Sequence, residues 1–438
     1  MKKIGILAVL LAALLLGGCT MRTVDQLYCL PKRSQAYKHL QSAIDSAMGG
    51  REYCSPLAGE NLQTVQMADL DGDGVVEHLL FAKSGDDKPL QILIFRQEGE
   101  EYALSDIISG TGAAFDVVEY ARVDDRPGYE LIVGHQVSDQ VVRSVSVYTF
   151  TEGRASLLMS ANYTKFLTYD LNADGRSELM VLRPGEADDA NGVAELYSYN
   201  SGAMERSNQV AMSESADRLK RVITGKLHGG QPAVYTASSV EENAIITDVF
   251  ALVDGQFTNV TFSNDSGTSV QTLRNYYVYA DDIDEDGVVE LPDLITMRPP
   301  GAVNIAGQQY LIRWYAMAAN GDEVDKGYTY HNFLSGWYLS LPSGLAPYMA
   351  VLQMGGSYEF YLWNEDYSSA QKLFTVFALT GKDRDEQAAR DNRFPVYRGD
   401  KVLYAAKLEA ASASCGITQE SLVASFRLIR QDWKTGET

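Results

Sequence analysis

The chain is poor in the side chains that carry most nucleophilic, acid–base and thiolate chemistry. Its five histidines (His39, His78, His135, His228, His331) and four cysteines (Cys19, Cys29, Cys54, Cys415) are scattered over 438 residues. It contains no His-Glu-x-x-His metalloprotease spacing, no Gly-x-Ser-x-Gly nucleophile elbow and no glycine-rich phosphate loop. Positive charge is also short: 37 Lys and Arg face 58 Asp and Glu, for a net charge of −21. That balance argues against nucleic acid as a partner and against an electrostatic grip on anionic lipid headgroups. Beyond the first 18 residues no apolar run is long enough to span a bilayer. Tryptophan is missing from the first 310 residues; Trp314, Trp337, Trp363 and Trp433 all come later.

What is present begins with an address. Met1-Lys2-Lys3 is a short basic start, Ile4 to Leu16 is apolar, and Leu16-Gly17-Gly18-Cys19 follows. This resembles a bacterial lipobox. The resemblance implies a signal peptide over 1–18, cleavage before Cys19, a diacylglyceride thioether on Cys19, and a body tethered to the membrane outside the cytoplasm. Removing Lys2 and Lys3 takes the net charge from −21 to −23. In that compartment Cys29 and Cys54 are candidates for a disulfide around a helix, the alternative being two free thiols. Leu40 and Ile44 share one face of that helix and Gly49-Gly50 ends it. Residues 19–60 then form a tether and N-terminal helix.

The most informative feature is an acidic loop written three times. It reads Asp69-Leu70-Asp71-Gly72-Asp73-Gly74-Val75-Val76-Glu77, then Asp170 to Glu178, then Asp282 to Glu290. The shared pattern is Asp-x-[Asp/Asn]-x-Asp-Gly-x-x-Glu. Oxygen ligands at alternate positions, with glycine at the sixth for a sharp turn, are how a short loop wraps a hard cation. A worn copy runs from Arg122 to Glu130 and a fainter echo lies near Thr224–Gly229. First positions at 69, 122, 170, 224 and 282 are spaced by about 50 residues, a period typical of stacked or propeller-like arrays. Runs such as Leu90–Phe95 and Ser144–Phe150 read as strands between turn-rich segments.

These loops resemble the FG-GAP (integrin α-type, VCBS-like) repeats of β-propellers, over roughly residues 60–330. The resemblance implies Ca²⁺ held by the first, third, fifth and ninth side chains and the seventh carbonyl. Carried onto this chain, it nominates Asp69, Asp71, Asp73, Val75 and Glu77; Asp170, Asn172, Asp174, Arg176 and Glu178; and Asp282, Asp284, Asp286, Val288 and Glu290. Up to three structural Ca²⁺ ions are expected. The ninth residue is often Asp in the family and is Glu here. A dockerin-like reading of the third loop, with Asp293 at its twelfth position, is opposed by Pro292 and by Arg298-Pro299-Pro300-Gly301, which leave no room for a following helix.

The expected fold is mainly β: an FG-GAP-like, propeller-type repeat array over 61–334, followed by a small α+β domain over 335–438. In the latter, a hairpin turns at Arg398-Gly399-Asp400, and Thr418 caps a helix carrying Leu422, Phe426 and Ile429 on one face. The whole chain also resembles Gram-positive gut-type lipoproteins, which implies no particular activity. An aromatic group with Tyr328, Tyr330, Trp337 and Tyr338 reads first as core or strand packing, with a surface that stacks on a sugar ring as the alternative. The functional expectation is a lipid-anchored, calcium-stabilised scaffold that binds an envelope protein or glycan and is not an enzyme. The alternative is an extracytoplasmic carbohydrate-active hydrolase or lyase using the array as a platform, since paired carboxylates need proximity in space and not in sequence.

Overall fold

The computed structural model describes residues 35–137, 142–186, 191–240, 244–276, 278–300 and 308–430. The expected signal peptide, Cys19, Cys29, the residues preceding the helix and Trp433 lie outside the described residues. The fold is mainly β, with six antiparallel sheets among the described residues.

The sheets follow one another along the chain. Sheet 1 contains Val65–Ala68, Glu77–Lys83, Leu90–Glu98 and Glu101–Gly110, with Glu52–Tyr53 added at one side. Sheet 2 runs through Ala114–Ala121, Glu130–Gln136, Arg143–Thr151 and Arg154–Tyr163. Sheet 3 comprises Lys165–Tyr169, Glu178–Arg183, Val193–Asn200 and Ala203–Ala211, and sheet 4 comprises Leu219–Lys226, Pro232–Val240, Ala244–Val253 and Gln256–Asn259. Sheet 5 orders Glu290–Thr296, Tyr310–Met317, Glu323–Asn332 and Trp337–Leu341, then takes Phe426–Leu428 on its edge. Sheet 6 orders Met349–Met354, Ser357–Trp363, Ala370–Thr380, Val402–Leu408 and Phe394–Arg398.

Each sheet buries an apolar face against the next. Phe81, Ile92 and Ile94 of sheet 1 share a core with Phe115, Val118 and Val133 of sheet 2. Val145 and Val147 continue onto Phe166, Leu179 and Val181 of sheet 3, whose Leu182, Ala194 and Leu196 meet Val234 and Phe250 of sheet 4. Tyr235 and Val249 then pack on Leu291 and Tyr315 of sheet 5. Strands buried on both faces lose the polar–apolar alternation of a one-sided sheet; Glu77–Ala82 is buried at every position.

The two ends of the series carry helices. Helix α1 (Gln35–Met48) lays Ile44, with Leu40 beside it, on Leu80, Leu93 and Phe95 of sheet 1. It ends at Gly49 and Gly50, whose positive φ values of 47° and 87° turn the chain out of the helix. Helix α2 (Arg384–Ala388) sets Ala388 against Leu379, Leu403 and Ala405 of sheet 6.

The boundary expected at 334/335 falls within sheet 5. Trp337–Leu341 pairs with Tyr328–Asn332, and both feed a core shared with Phe360, Phe374 and Val376 of sheet 6. The C-terminal helix is shorter than its sequence pattern predicts. Helix α3 (Gln419–Ser425) has the Thr418 cap, closed by a reciprocal bond with Ser421, but Phe426 leaves it to pair with Leu339. An apolar residue spaced for the helix face is drawn into the Trp337 core instead, stacking 5.5 Å from the Trp337 ring.

Candidate functional site

The acidic loops join the first and second strands of sheets 1 and 3, and the third lies just before Glu290–Thr296 of sheet 5. In the first, Asp69 accepts backbone N–H bonds from Gly72 (2.8 Å) and Gly74 (3.0 Å), and Asp73 accepts one from Val75 (2.7 Å). The third repeats the scheme: Asp282 accepts from Asp286 (2.9 Å) and Gly287 (2.8 Å), and Asp286 from Val288 (2.8 Å). Short carboxylates that bond backbone two to five residues on make such turns self-supporting.

The closing Glu does something the sequence does not disclose. Its Oε2 accepts the N–H of the loop's second residue: Leu70 to Glu77 at 2.8 Å, Leu171 to Glu178 at 2.9 Å, Ile283 to Glu290 at 3.0 Å. The worn copy keeps the bond, from Val123 to Glu130 at 2.9 Å. All four Glu residues are buried. Glu is one methylene longer than Asp, and that length lets it begin a buried strand while reaching back across the loop.

The loops also bridge neighbouring sheets. Tyr129 N–H donates to Asp69 O (3.0 Å), Ser177 N–H to Arg122 O (2.7 Å) and Val289 N–H to Lys226 O (3.1 Å). At the first of these contacts a Cβ on Gly128 would stand 2.2 Å from Leu70 O, so only glycine permits the approach.

Two of the three loops gather carboxylates. Oxygens of Asp69, Asp71 and Glu77, and of Asp282, Asp284 and Glu290, lie within 4.8 Å of one another. Each cluster already faces a basic side chain from its own sheet. Arg96 Nη2 is 2.9 Å from Asp71 and 3.6 Å from Asp73, with Nε 3.6 Å from Glu77. Lys326 bonds Asp286 and lies 3.6 Å from Asp284 and 3.4 Å from Glu290. Burial pushes the Glu290 carboxyl up to about 7, with Asp284 and Asp286 adding to the rise; burial raises Glu77 too. Glu290 Oε1 is buried without a hydrogen bond, its nearest charge partner being Lys326. An all-oxygen set with one under-satisfied buried carboxylate oxygen fits a divalent hard cation.

The second loop has a different electrostatic solution. Asn172 donates to Glu178 Oε1 at 2.7 Å, and Arg176 bonds Asp174 at 2.7 Å, holding that carboxyl below its usual range. An amide N–H and a guanidinium thus offset carboxylate charge within this loop. The worn loop follows the same course, with Arg126 bonded to Asp124.

The aromatic candidates divide. Tyr330 and Trp337 are core residues, 1% and 0% exposed, packed on Phe360 and Tyr358 of sheet 6. Strand alternation directs both inward; this removes Trp337 as a ligand contact, whereas Tyr330 borders the cavity described next. Tyr328 is partly buried against the same core, and Tyr338 lies 4.9 Å from His331. Beside them is a cavity of about 100 Å³ lined by Tyr330, His331 and Phe333 of the aromatic group and by Tyr276, Tyr310 and the amides of Gln308, Gln309 and Gln353, which sequence reasoning did not single out. Cys54 and Cys415 are both partly buried; Cys29, the other half of the expected disulfide, lies outside the described residues.

Fold and loops together define a repeat-built antiparallel β protein with two oxygen-rich acidic clusters. No family model and no curated protein matches the chain. Among solved structures it is similar to the exotype rhamnogalacturonan lyase YesX, at 10% identity and a TM-score of 0.30 over 83% of this chain and 89% of that one. Rhamnogalacturonan lyase YesW gives 11% and 0.31 over 74% and 83%, and the Bacillus licheniformis rhamnogalacturonan lyase 11% and 0.30 over 71% and 90%. Likeness at that level transfers no chemistry to this chain.

Proposed function

We propose that the chain is an FG-GAP-like, propeller-type repeat protein, stabilised by Ca²⁺ and held outside the cytoplasm by lipid on Cys19, which binds an envelope protein or glycan without turning it over. The observation that carries this reading is the repetition of one loop geometry at the junctions between consecutive sheets. A cation there would stiffen a loop whose backbone also bonds to the neighbouring sheet, which suits a rigid platform whose other loops recognise a partner. Asp69, Asp71 and Glu77, and Asp282, Asp284 and Glu290, would hold the ions. Calcium supplies charge neutralisation to these loops and no reaction step.

Binding is favoured over turnover by the chemistry of the cavity. Among the described residues its lining contains aromatic rings, amides and His331, and no carboxylate; burial lowers the His331 pKa to about 3, so its ring is neutral. Pull-downs from envelope extracts and glycan arrays test the reading. Capture of a partner that is recovered intact supports it. Multiple-turnover cleavage of a polysaccharide, abolished by one carboxylate substitution outside the loops, replaces it with the enzymatic alternative. The anchor is tested separately: Cys19→Ala should leave the membrane fraction, and persistence there contradicts lipidation.

A further inference from the structure

The cavity beside sheets 5 and 6 has a composition that selects its own ligand class. Tyr276 sits with its ring 5.5 Å from Tyr310 and 5.2 Å from Phe333, forming an aromatic corner. Facing it are the side chains of Gln308, Gln309 and Gln353. Gln309 is held in place by the Tyr330 hydroxyl, which donates to its Oε1 at 2.6 Å, and Gln308 donates to Met297 O at 3.2 Å. The Gln309 amide N–H₂ and the Gln308 carbonyl therefore remain for a ligand. Leu334, 84% exposed, stands at the rim.

No side chain in this lining carries a charge at neutral pH. Burial keeps the Tyr276 phenol protonated by raising its pKa, and His331 is neutral. A phosphate, a carboxylate or an ammonium would lose its hydration here without gaining a countercharge. Amides and phenols offer donors and acceptors side by side, which is what vicinal hydroxyl groups require, while the aromatic corner accepts the apolar face of a sugar ring. At about 100 Å³ the cavity is far below the roughly 300–1,000 Å³ of sites for drug-sized ligands, so it has room for part of one ring at its mouth and none for an oligomer.

We propose that this cavity is a subsite for a single neutral pyranose of an envelope glycan, with Tyr276 and Tyr310 as its stacking wall and the three glutamines as its hydrogen-bonding side. The proposal rests on the binding reading above and names the ligand class and place.

Ligand-observed saturation-transfer NMR provides the test, using the full chain in a detergent without a sugar headgroup. The probes are methyl glucoside, methyl galactoside, methyl rhamnoside and N-acetylglucosamine, with glucuronate and glucose 6-phosphate as charged counterparts. The expected result is saturation transfer to at least one neutral sugar, none to the charged pair, and affinity weakened about tenfold or more in Tyr276→Ala and Gln353→Ala. Unchanged melting curves for Gln353→Ala and Tyr276→Phe guard against a folding defect. Absence of transfer from every neutral sugar, or transfer indifferent to both substitutions, overturns the subsite. Glycan-array binding that survives Tyr276→Ala overturns it while leaving the binding reading intact; failure to capture any glycan or envelope protein defeats that reading itself.

Discussion

Arg96 Nη2 lies 2.9 Å from Asp71 Oδ2, so the charge of the first acidic cluster is partly offset by a guanidinium from 25 positions later in the chain. Lys326 has the same place at the third loop. A protein cation and a bound calcium compete for the same carboxylate oxygens, and calcium entry requires the side chain to move aside.

Removing that competitor should therefore strengthen calcium binding. A unit charge about 4 Å away contributes about 1 kcal/mol even in water-like surroundings, or roughly fivefold in affinity. Arg96→Met is expected to tighten calcium binding at the first loop by about that factor or more, measured by titration calorimetry. Weaker binding in the variant contradicts the competition.

The second loop should not bind calcium as it stands. Asn172 points an N–H at Glu178, and Arg176 occupies Asp174. Native mass spectrometry is expected to show two bound ions, not three. Converting the loop with Asn172→Asp and Arg176→Val should add a third. Three ions in the unaltered protein, or no gain in the double variant, refutes this electrostatic assignment.

The worn loop yields a pH prediction that involves no ion. Burial, with Asp124 adding to it, pushes the Glu130 carboxyl up to about 7 from 4.5. A carboxyl raised on folding favours the protonated folded state. Its effect is to lower stability as pH climbs from about 4.5 to about 7. Glu130→Gln keeps an acceptor for Val123 N–H and removes the charge. It should be more stable than the parent at pH 8 by on the order of 1 kcal/mol, with little gain at pH 4.5. Urea midpoints at the two pH values check it; a variant less stable at pH 8 shows that the ionised carboxylate is needed.

Trp337 is expected to behave as core and not as a ligand contact. It is 0% exposed and lies within 5.2–5.5 Å of the Tyr358 and Phe426 rings. Trp337→Ala should cost about 3–5 kcal/mol in unfolding free energy, the range for deleting a buried large ring. A loss below about 1 kcal/mol contradicts the packing described.

Several of these features were legible in the sequence and others were not, for physical reasons. The loop pattern and its spacing are local, and they led to the β repeats and to two of three metal-competent clusters. Arg96 and Lys326 were invisible because their partners lie 25 and 40 residues away and only strand pairing brings them together. In the second loop Asn172 and Arg176 fit the pattern by position; the bonds from the Asn172 amide to Glu178 and from the Arg176 guanidinium to Asp174 show only in the structure. The core and ligand-surface readings of Tyr330 and Trp337 could not be separated in the sequence, because an aromatic-rich strand reads alike whichever face is covered; sheet 6 packs on both rings. Helix α3 was drawn too long because Phe426 has helical spacing but gains more by joining sheet 5 beside Trp337.

Calcium-linked stability tests the central claim most directly. Extracellular oxygen-ligand sites bind with dissociation constants of about 10⁻⁴–10⁻³ M, and calcium at tenfold excess over that adds roughly 1.4 kcal/mol per site. Two sites should then raise the melting temperature by several degrees, about 3 kcal/mol in all. The measurement is the melting curve in chelator against calcium at about 10 mM, for the parent and for Asp71→Ala with Asp284→Ala. The account predicts a saturable rise in the parent that the double variant loses. Superimposable curves for the parent with and without calcium would contradict it.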